Sequence, residues 1–293
     1  MSLIPLSVIV VTKNPGAILD RCLSALNAYD QVIVVDSNSS DRTKSMCAAH
    51  YKDYIPFSWS GAYPKKRQWC LEHLELKHDW VFFVDADEFV TPELTEEIRN
   101  LFSASLRAPN GGEAIQKKKQ TCHDDVAGYF ISGQYVWNDT LLSYGLRNQK
   151  IALFNRRKMR FPNVDDLDCP GMGEIEGHYQ PVLRGKGRVG RLHAPLLHIA
   201  NYSKQDWLER HKRYAVWEIC MTRKNAWPPD PVPWRNTLKK LLRRNPLRPE
   251  LAFLHSWILK LGFLDGAAGF DFARSRWVYY HLIRSGQKTT SIE

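Results

Sequence analysis

The residues best suited to chemistry in this chain are Asp85 and Asp87, two carboxylates separated only by Ala86 and followed at once by Glu88. Hard divalent cations such as Mg²⁺ and Mn²⁺ take oxygen ligands, usually one or two carboxylates, with water and substrate phosphates completing the shell. The pair therefore suits a site that handles a diphosphate. Residues two apart on a strand share a face, so the spacing predicts that Asp85 and Asp87 point the same way, with Ala86 leaving room between them. The competing reading is an acidic approach to a helix capped by Thr91, with Pro92 as its first residue. Asp36 also ends an apolar run and precedes Ser37, Asn38 and Ser39. Such an acid either accepts hydrogen bonds from a nucleoside or organises the turn behind it. Lys65, Lys66 and Arg67 stand before an expected helix over Gln68 to Leu76, where they meet phosphate or form a solvated helix start.

Strands must carry these acids to one place. Leu6 to Thr12, Gln31 to Asp36 and Trp80 to Asp85 are near-continuous apolar runs ending in polar residues, the pattern of parallel strands buried on both faces. Between the first two, Ile18, Leu19, Cys22, Leu23 and Leu26 recur at helical spacing over Ala17 to Tyr29. Alternating strands and helices predict right-handed crossovers and a doubly wound α/β sheet with helices on both faces. Ligands bind such sheets beyond the carboxyl ends of the strands. Thr12, Asp36 and the Asp85 to Asp87 segment should thus converge on one crevice. Further strands are expected at Tyr129 to Trp137, Leu146 to Phe154 and Leu196 to His198. From Ser203 the chain turns helical, broken by the proline-rich Trp227 to Trp234.

A chain of 293 residues that is 44% hydrophobic has ample material for a core, and its net charge of +10 points to an anionic partner. Lys117 to Lys119 have no interleaved aromatics, which argues for a solvated loop over Ser103 to Asp125 and against nucleic acid. The six cysteines lack any C-x-x-C pair, which reads as reduced thiols in a cytosolic protein. Met1 to Pro5 is too short for a signal peptide, and no eighteen-residue apolar run occurs. Neither G-x-G-x-x-G nor G-x-x-x-x-G-K-[ST] is present, so phosphate must be handled by a metal and basic side chains. Leu238 to Arg244 joins basic and apolar faces, and Leu251 to Ile283 is aromatic-rich, as in segments that lie on a membrane.

The order Thr12-Lys13-Asn14, Asp36-Ser37 with Asp41 and Thr43, Lys66-Arg67-Gln68, then Asp85-Ala86-Asp87-Glu88 resembles the inverting glycosyltransferases of family 2, which have the GT-A fold. Gln68 departs from the Asn found in many relatives. The resemblance implies a mostly parallel GT-A sheet with a helical C-terminal extension. It also implies that Thr12, Asp36, Arg67 and Asp85 bind the nucleotide of a UDP-sugar or similar donor, and that Asp87 binds Mn²⁺ or Mg²⁺. His198 is either a structural hydrogen-bonder or, as in GT-A enzymes, a completion of the metal shell. Inversion needs a base for the acceptor hydroxyl, and a carboxylate on the glycine-flexed loop from Gly171 to His178 suits that task. Glu176 is preferred to Glu174, with Asp165, Asp166 and Asp168 behind them; the alternative is a helix or turn cap. Gly262 to Phe270 and Leu196 to His198 also resemble bacterial lipopolysaccharide-core β-glucosyltransferases. That implies a lipid-linked saccharide acceptor, an anionic membrane surface as partner, and a cytoplasmic location on the inner membrane. The expected division is residues 1–105 for the nucleotide-sugar half, 106–202 for the acceptor half and 203–293 for the extension. The rivals are a sugar nucleotidyltransferase, disfavoured by the lack of a glycine-rich phosphate loop, and a non-catalytic polyanion-binding protein.

Overall fold

The computed structural model describes residues 2–106, 125–176, 179–200, 203–228, 230 and 232–289. Lys117 to Lys119, Cys122, Gly177 and His178 lie outside them. The N-terminal third alternates as expected. Strands β1 (Ile4–Thr12), β2 (Tyr29–Asp36), β3 (Asp53–Pro56) and β4 (Trp80–Asp85) run parallel in the order β3-β2-β1-β4. Helices α1 (Ile18–Ser24), α2 (Thr43–Ala49), α3 (Lys66–His73) and α4 (Pro92–Leu106) connect and flank them. The first helix is shorter than its apolar spacing suggested, because Ala25 to Ala28 form turns that lead into β2. Thr91 caps α4 as foreseen, its hydroxyl accepting the Leu94 N–H at 3.1 Å.

Alternation along each strand sorts side chains into two layers. Val8 and Val10 pack with Leu19 and Leu23 of α1, Cys47 of α2 and Leu94 and Ile98 of α4. Ile9, Ile33 and Phe83 pack on the opposite face with Cys70 and Leu71 of α3. The sheet continues through β5 (Glu88–Val90), β6 (Val126–Trp137), β7 (Thr140–Leu141), β8 (Asn148–Asn155), β11 (Arg188–Arg191) and β12 (Leu196–Ile199), with β9 (Met159–Arg160) and β10 (Val182–Leu183) paired separately. Here parallel and antiparallel pairings mix: β8 runs antiparallel to β4 and β6, and β12 lies between β6 and β5. The doubly wound α/β architecture is thus present, with helices on both faces of a mixed sheet.

The C-terminal extension is helical, as expected: α5 (Lys204–Lys224), α6 (Pro233–Arg244), α7 (Arg248–Leu254) and α8 (Gly266–Thr289), with a π turn and a 3₁₀ turn between the last two. Trp207 of α5 and Phe272 of α8 pack on Trp137 of β6. Among the described residues no helix is long and apolar enough to cross a membrane.

Two expectations need correction. Cys169 and Cys220 are joined in a disulfide across 51 residues, so the thiols are not uniformly reduced; Cys22, Cys47 and Cys70 are free and buried. Sequence spacing cannot reveal this pair, because α5 and the loop after β9 meet only in the folded chain. Lys65 is neither a phosphate ligand nor a solvated residue. It is 1% exposed and donates to Asp166 Oδ2 at 2.7 Å. Asp166 also accepts from the Tyr63 hydroxyl (2.7 Å) and the Trp217 indole N–H (3.1 Å). This pins the loop carrying Glu174 and Glu176 between α3 and α5, and removes Asp166 from the candidate bases. At Gly171, with φ +110°, a Cβ would collide with the Arg213 carbonyl, so only glycine lets the loop approach α5 so closely. Asp166→Ala, by leaving the buried Lys65 ammonium unpaired, should cost about 3–5 kcal/mol of stability in urea unfolding; a loss below about 1 kcal/mol would show that the ion pair does not anchor the loop.

Candidate functional site

The parallel strands deliver their polar ends to one edge. Register places Thr12 beside Asp36, and Val11 beside Asp85, so the predicted convergence is met. Asp36 is fully buried and serves its own turn: one oxygen accepts the Ser39 N–H (2.8 Å) and the Tyr54 hydroxyl (3.0 Å), and the other accepts the Ser39 hydroxyl. Both oxygens are therefore engaged by the protein, the turn-organising alternative. Thr12 Oγ1, by contrast, is buried with no hydrogen-bond partner. Its carbonyl accepts from Lys66 Nζ at 2.7 Å, and the same ammonium donates to Ser37 Oγ at 2.6 Å.

Asp85 and Asp87 do not share one strand face. Strand β4 ends at Asp85, Ala86 and Asp87 form a turn, and β5 begins at Glu88. The turn splits the two carboxylates between different partners. Asp85 Oδ1 accepts from Arg67 Nη2 at 2.7 Å, and its Oδ2 lies 3.3 Å from Lys150 Nζ on β8. Burial alone would raise the Asp85 pKa, but the Lys150 and Arg67 charges outweigh it and hold the carboxyl far below its ordinary range. Glu88, 1% exposed, takes the Lys150 ammonium and the Asp85 N–H on the same oxygen.

Asp87 turns instead toward His198 of β12 and Arg210 of α5. His198 Nδ1 is 3.8 Å from Asp87 Oδ1 and 3.6 Å from Glu88 Oε1, and Arg210 Nη1 is 3.7 Å from Asp87 Oδ2. Strand pairing sets this up, since His198 lies opposite Glu88 in the β5–β12 register. Burial raises the Asp87 pKa; His198 and Arg210 counter it, whereas Asp85 and Glu88 add to it. Burial would depress His198, yet Asp87 and Glu88 hold its pKa above the ordinary imidazole value. Asp87 is thus the member of the acidic cluster whose carboxylate accepts no hydrogen bond among the described residues, its nearest cations standing 3.7 and 3.8 Å away.

Among the described residues no three His, Cys, Asp or Glu side chains converge as a metal shell. The residues nevertheless fit a cation held mainly by substrate. His198 Nδ1 is buried and lacks a hydrogen-bond partner, and it faces a carboxylate oxygen of Asp87. Two protein donors suffice where diphosphate oxygens and water supply the rest.

The loop carboxylates lie on the α3 side. Glu176, 2% exposed, accepts the Gln68 N–H at 2.9 Å through Oε1, capping α3, while its Oε2 has no partner. Burial raises its pKa against the lowering pull of Arg67 and the α3 N–H groups. Glu174 takes the Ser37 hydroxyl and sits 4.0 Å from Lys66 Nζ. The cap read as an alternative for this loop is therefore real for Glu176. Lys224 binds Asp165 and Asp168 at 2.6 Å each.

Sequence reading missed Lys150, Glu88 and Arg210. Lys150 is a lone cation in a strand pattern, Glu88 looks like a helix-leading acid, and Arg210 is one of several cations along α5, so only the fold distinguishes them.

Residues 7–108 match the family model described as glycosyl transferase family 2. The chain is 30% identical over 107 residues to the lipopolysaccharide core biosynthesis glycosyltransferase LpsC of Rhizobium meliloti, a match covering 35% of this chain and 38% of that one. It is 32% identical over 100 residues to an uncharacterized glycosyltransferase of Rickettsia bellii, covering 34% and 33%. The chain thus spans about a third of the length of these curated relatives. Among solved structures, the mannosyltransferase PcManGT from Pyrobaculum calidifontis, in complex with GDP-Man and Mn²⁺, gives a TM-score of 0.49 at 14% identity, covering 96% of this chain and 86% of that one. S. aureus TarS gives 0.42 at 16% identity, covering 97% and 55%. The four motifs from Thr12 to Glu88 all fall inside the matched segment, and it is through residues 7–108 that this chain is recognised as similar to glycosyl transferase family 2.

Proposed function

We propose that the protein is an inverting glycosyltransferase that moves a sugar from a nucleotide-diphosphate donor, UDP-linked, to a saccharide on a lipid carrier or lipopolysaccharide core. The observation that carries this reading is the Asp87 carboxylate facing His198 Nδ1, which makes no hydrogen bond, at the edge where Thr12, Asp36 and Asp85 end. The family match over the same stretch and the name of the LpsC relative support it.

In this reading residues 1–105 bind the donor, 106–202 the acceptor, and 203–293 form the extension. Thr12 Oγ1 offers the nucleoside a free hydrogen-bonding group, and Asp36 acts chiefly by fixing the turn that walls its pocket. Arg67 and Lys150 keep Asp85 ionised and in place beside the ribose and diphosphate. Asp87 and His198 hold Mn²⁺ or Mg²⁺, which when bound supplies charge neutralisation for the leaving diphosphate. Arg210 adds a second positive charge from α5. Glu176 takes the acceptor proton through its partner-free oxygen; Glu174, engaged by Ser37, is the alternative base.

A membrane-apposed position fits the extension. Trp234 and Leu241 of α6 are each 67% exposed and Leu259 is 73% exposed, with Leu247 and Leu264 also open to solvent. Among these exposed apolar side chains stand the exposed Lys240 and Lys260. Exposed apolar side chains among cations suit an anionic lipid surface, here the cytoplasmic face of the inner membrane.

A screen of nucleotide sugars with Mn²⁺ should find a donor that is slowly hydrolysed, and Asp87→Ala should lower that rate about 100-fold or more while the fold persists; full activity in the variant would remove the metal assignment. Glu176→Gln keeps an oxygen for the α3 cap but loses basicity, so transfer should fall by about 10²–10⁴-fold with donor binding intact. If Glu174→Gln alone has that effect, the base is Glu174. Sedimentation with phosphatidylglycerol vesicles should capture the wild-type protein, and Leu241→Asp with Leu259→Asp should release it; equal capture of both proteins would place the membrane contact elsewhere.

A further inference from the structure

Helix α6 sits with its polarity inverted relative to a helix covering a core. Trp234, Leu238 and Leu241 face solvent, whereas Arg235, Lys239 and Arg243, spaced four apart and so on one helical face, line a cavity of about 50 Å³ against the sheet. Gln149 of β8, Gln180 and Tyr179 close its other side. That volume holds a group the size of phosphate or carboxylate, or a few waters, and is far too small for a nucleotide.

Three cations, Arg235, Lys239 and Arg243, and one carboxylate, Asp230, line it, so the lining carries excess positive charge. Lys239 pairs with Asp230 at 2.5 Å, but among the described residues neither Arg235 nor Arg243 has a carboxylate within ion-pair distance. The Arg243 guanidinium rests on the Trp227 ring, 3.7 Å from its centroid, an arrangement that orients the fork without cancelling its charge. Burial and the Arg248 charge lower the Arg243 pKa against the raising pull of Glu218, Tyr280 and Asp230. Gln180 spends its carbonyl on the Ile151 N–H (2.7 Å), and its amide N–H₂ has no protein partner among the described residues. A planar guanidinium matches a carboxylate or phosphate with two parallel hydrogen bonds.

We propose that this cavity binds the anionic substituent, phosphate or carboxylate, of the saccharide acceptor. The proposal rests on the glycosyl-transfer reading for the word acceptor, and on the cavity alone for the anion. None of Thr12, Asp36, Arg67, Asp85 and Asp87 lines it, so it is not the donor diphosphate site. Gln149 of β8 lines the cavity, and the next residue, Lys150, turns to the other face of the strand to reach Asp85. Tyr179, which lines the cavity, stands close enough to Glu176 for that carboxylate to raise its phenol pKa, which places an acceptor held here by its charged group on the side of the candidate base.

Calorimetric titration of the full chain with inorganic phosphate, glucose 6-phosphate and glucuronate tests this. Wild type should bind at least one sugar anion with a salt-dependent affinity, and Arg235→Gln/Arg243→Gln should weaken it at least 10-fold while UDP with Mn²⁺ binds unchanged. The glucose 6-phosphate and glucuronate arms identify the preferred group. Gln180→Glu, which places a negative charge in the cavity, should weaken binding similarly and serves if the arginine pair fails to fold. Anion binding that is undiminished in these variants, that is displaced by UDP, or that is absent from wild type at millimolar concentration would overturn the proposal. Loss of nucleotide-sugar hydrolysis across the donor screen, with anion binding retained, would sink the transfer reading and leave the cavity site standing.

Discussion

Four carboxylates gather at the carboxyl edge of the parallel strands, and the structure depends on how their charge is shared out. Asp36, Asp85 and Glu88 are satisfied internally, by hydroxyls and a backbone N–H in the first case and by Arg67 and Lys150 in the other two. Buried charges must be paired or hydrogen-bonded. What remains is Asp87, held in the turn between β4 and β5 and flanked by His198 and Arg210 at distances longer than hydrogen bonds. A carboxylate that makes no hydrogen bond while its neighbours are engaged is the member of the cluster best able to take a further partner.

The chain builds this condition from separate layers. Arg67 comes from α3, Lys150 from an antiparallel strand added to the parallel half, His198 from a strand inserted between β5 and β6, and Arg210 from the C-terminal extension. The extension is therefore structurally part of the site's surroundings. The Asp166 cluster with Lys65, Tyr63 and Trp217, and the Cys169–Cys220 disulfide, both tie the loop of Glu174 and Glu176 to α5. That loop is positioned from both sides, by capping α3 through Glu176 and by packing on α5.

Helix α6 illustrates why amphipathicity alone does not say which face is buried. Its basic stripe faces a polar cavity against the sheet and its apolar stripe faces outward. Sequence periodicity fixes that two faces exist; the neighbouring Gln149, Gln180 and Trp227 decide which one turns inward.

The apolar runs ending in Thr12, Asp36 and Asp85 were enough to determine three of the four parallel strands, because strands buried on both faces leave a clear hydrophobic pattern and their polar ends must lie at one edge; the half-exposed β3 leaves no such run. Thr91 and Pro92 likewise marked the start of α4 through local capping chemistry. The sequence could not determine that Asp85 and Asp87 part company, since a two-residue turn after an apolar strand has no hydrophobic signature. Nor could it place Lys150, Glu88, Arg210, the buried Lys65 or the disulfide. Their roles arise from pairing between elements far apart in the chain, and a single charged or sulfur-bearing residue carries no record of the partner that the folded chain will bring to it.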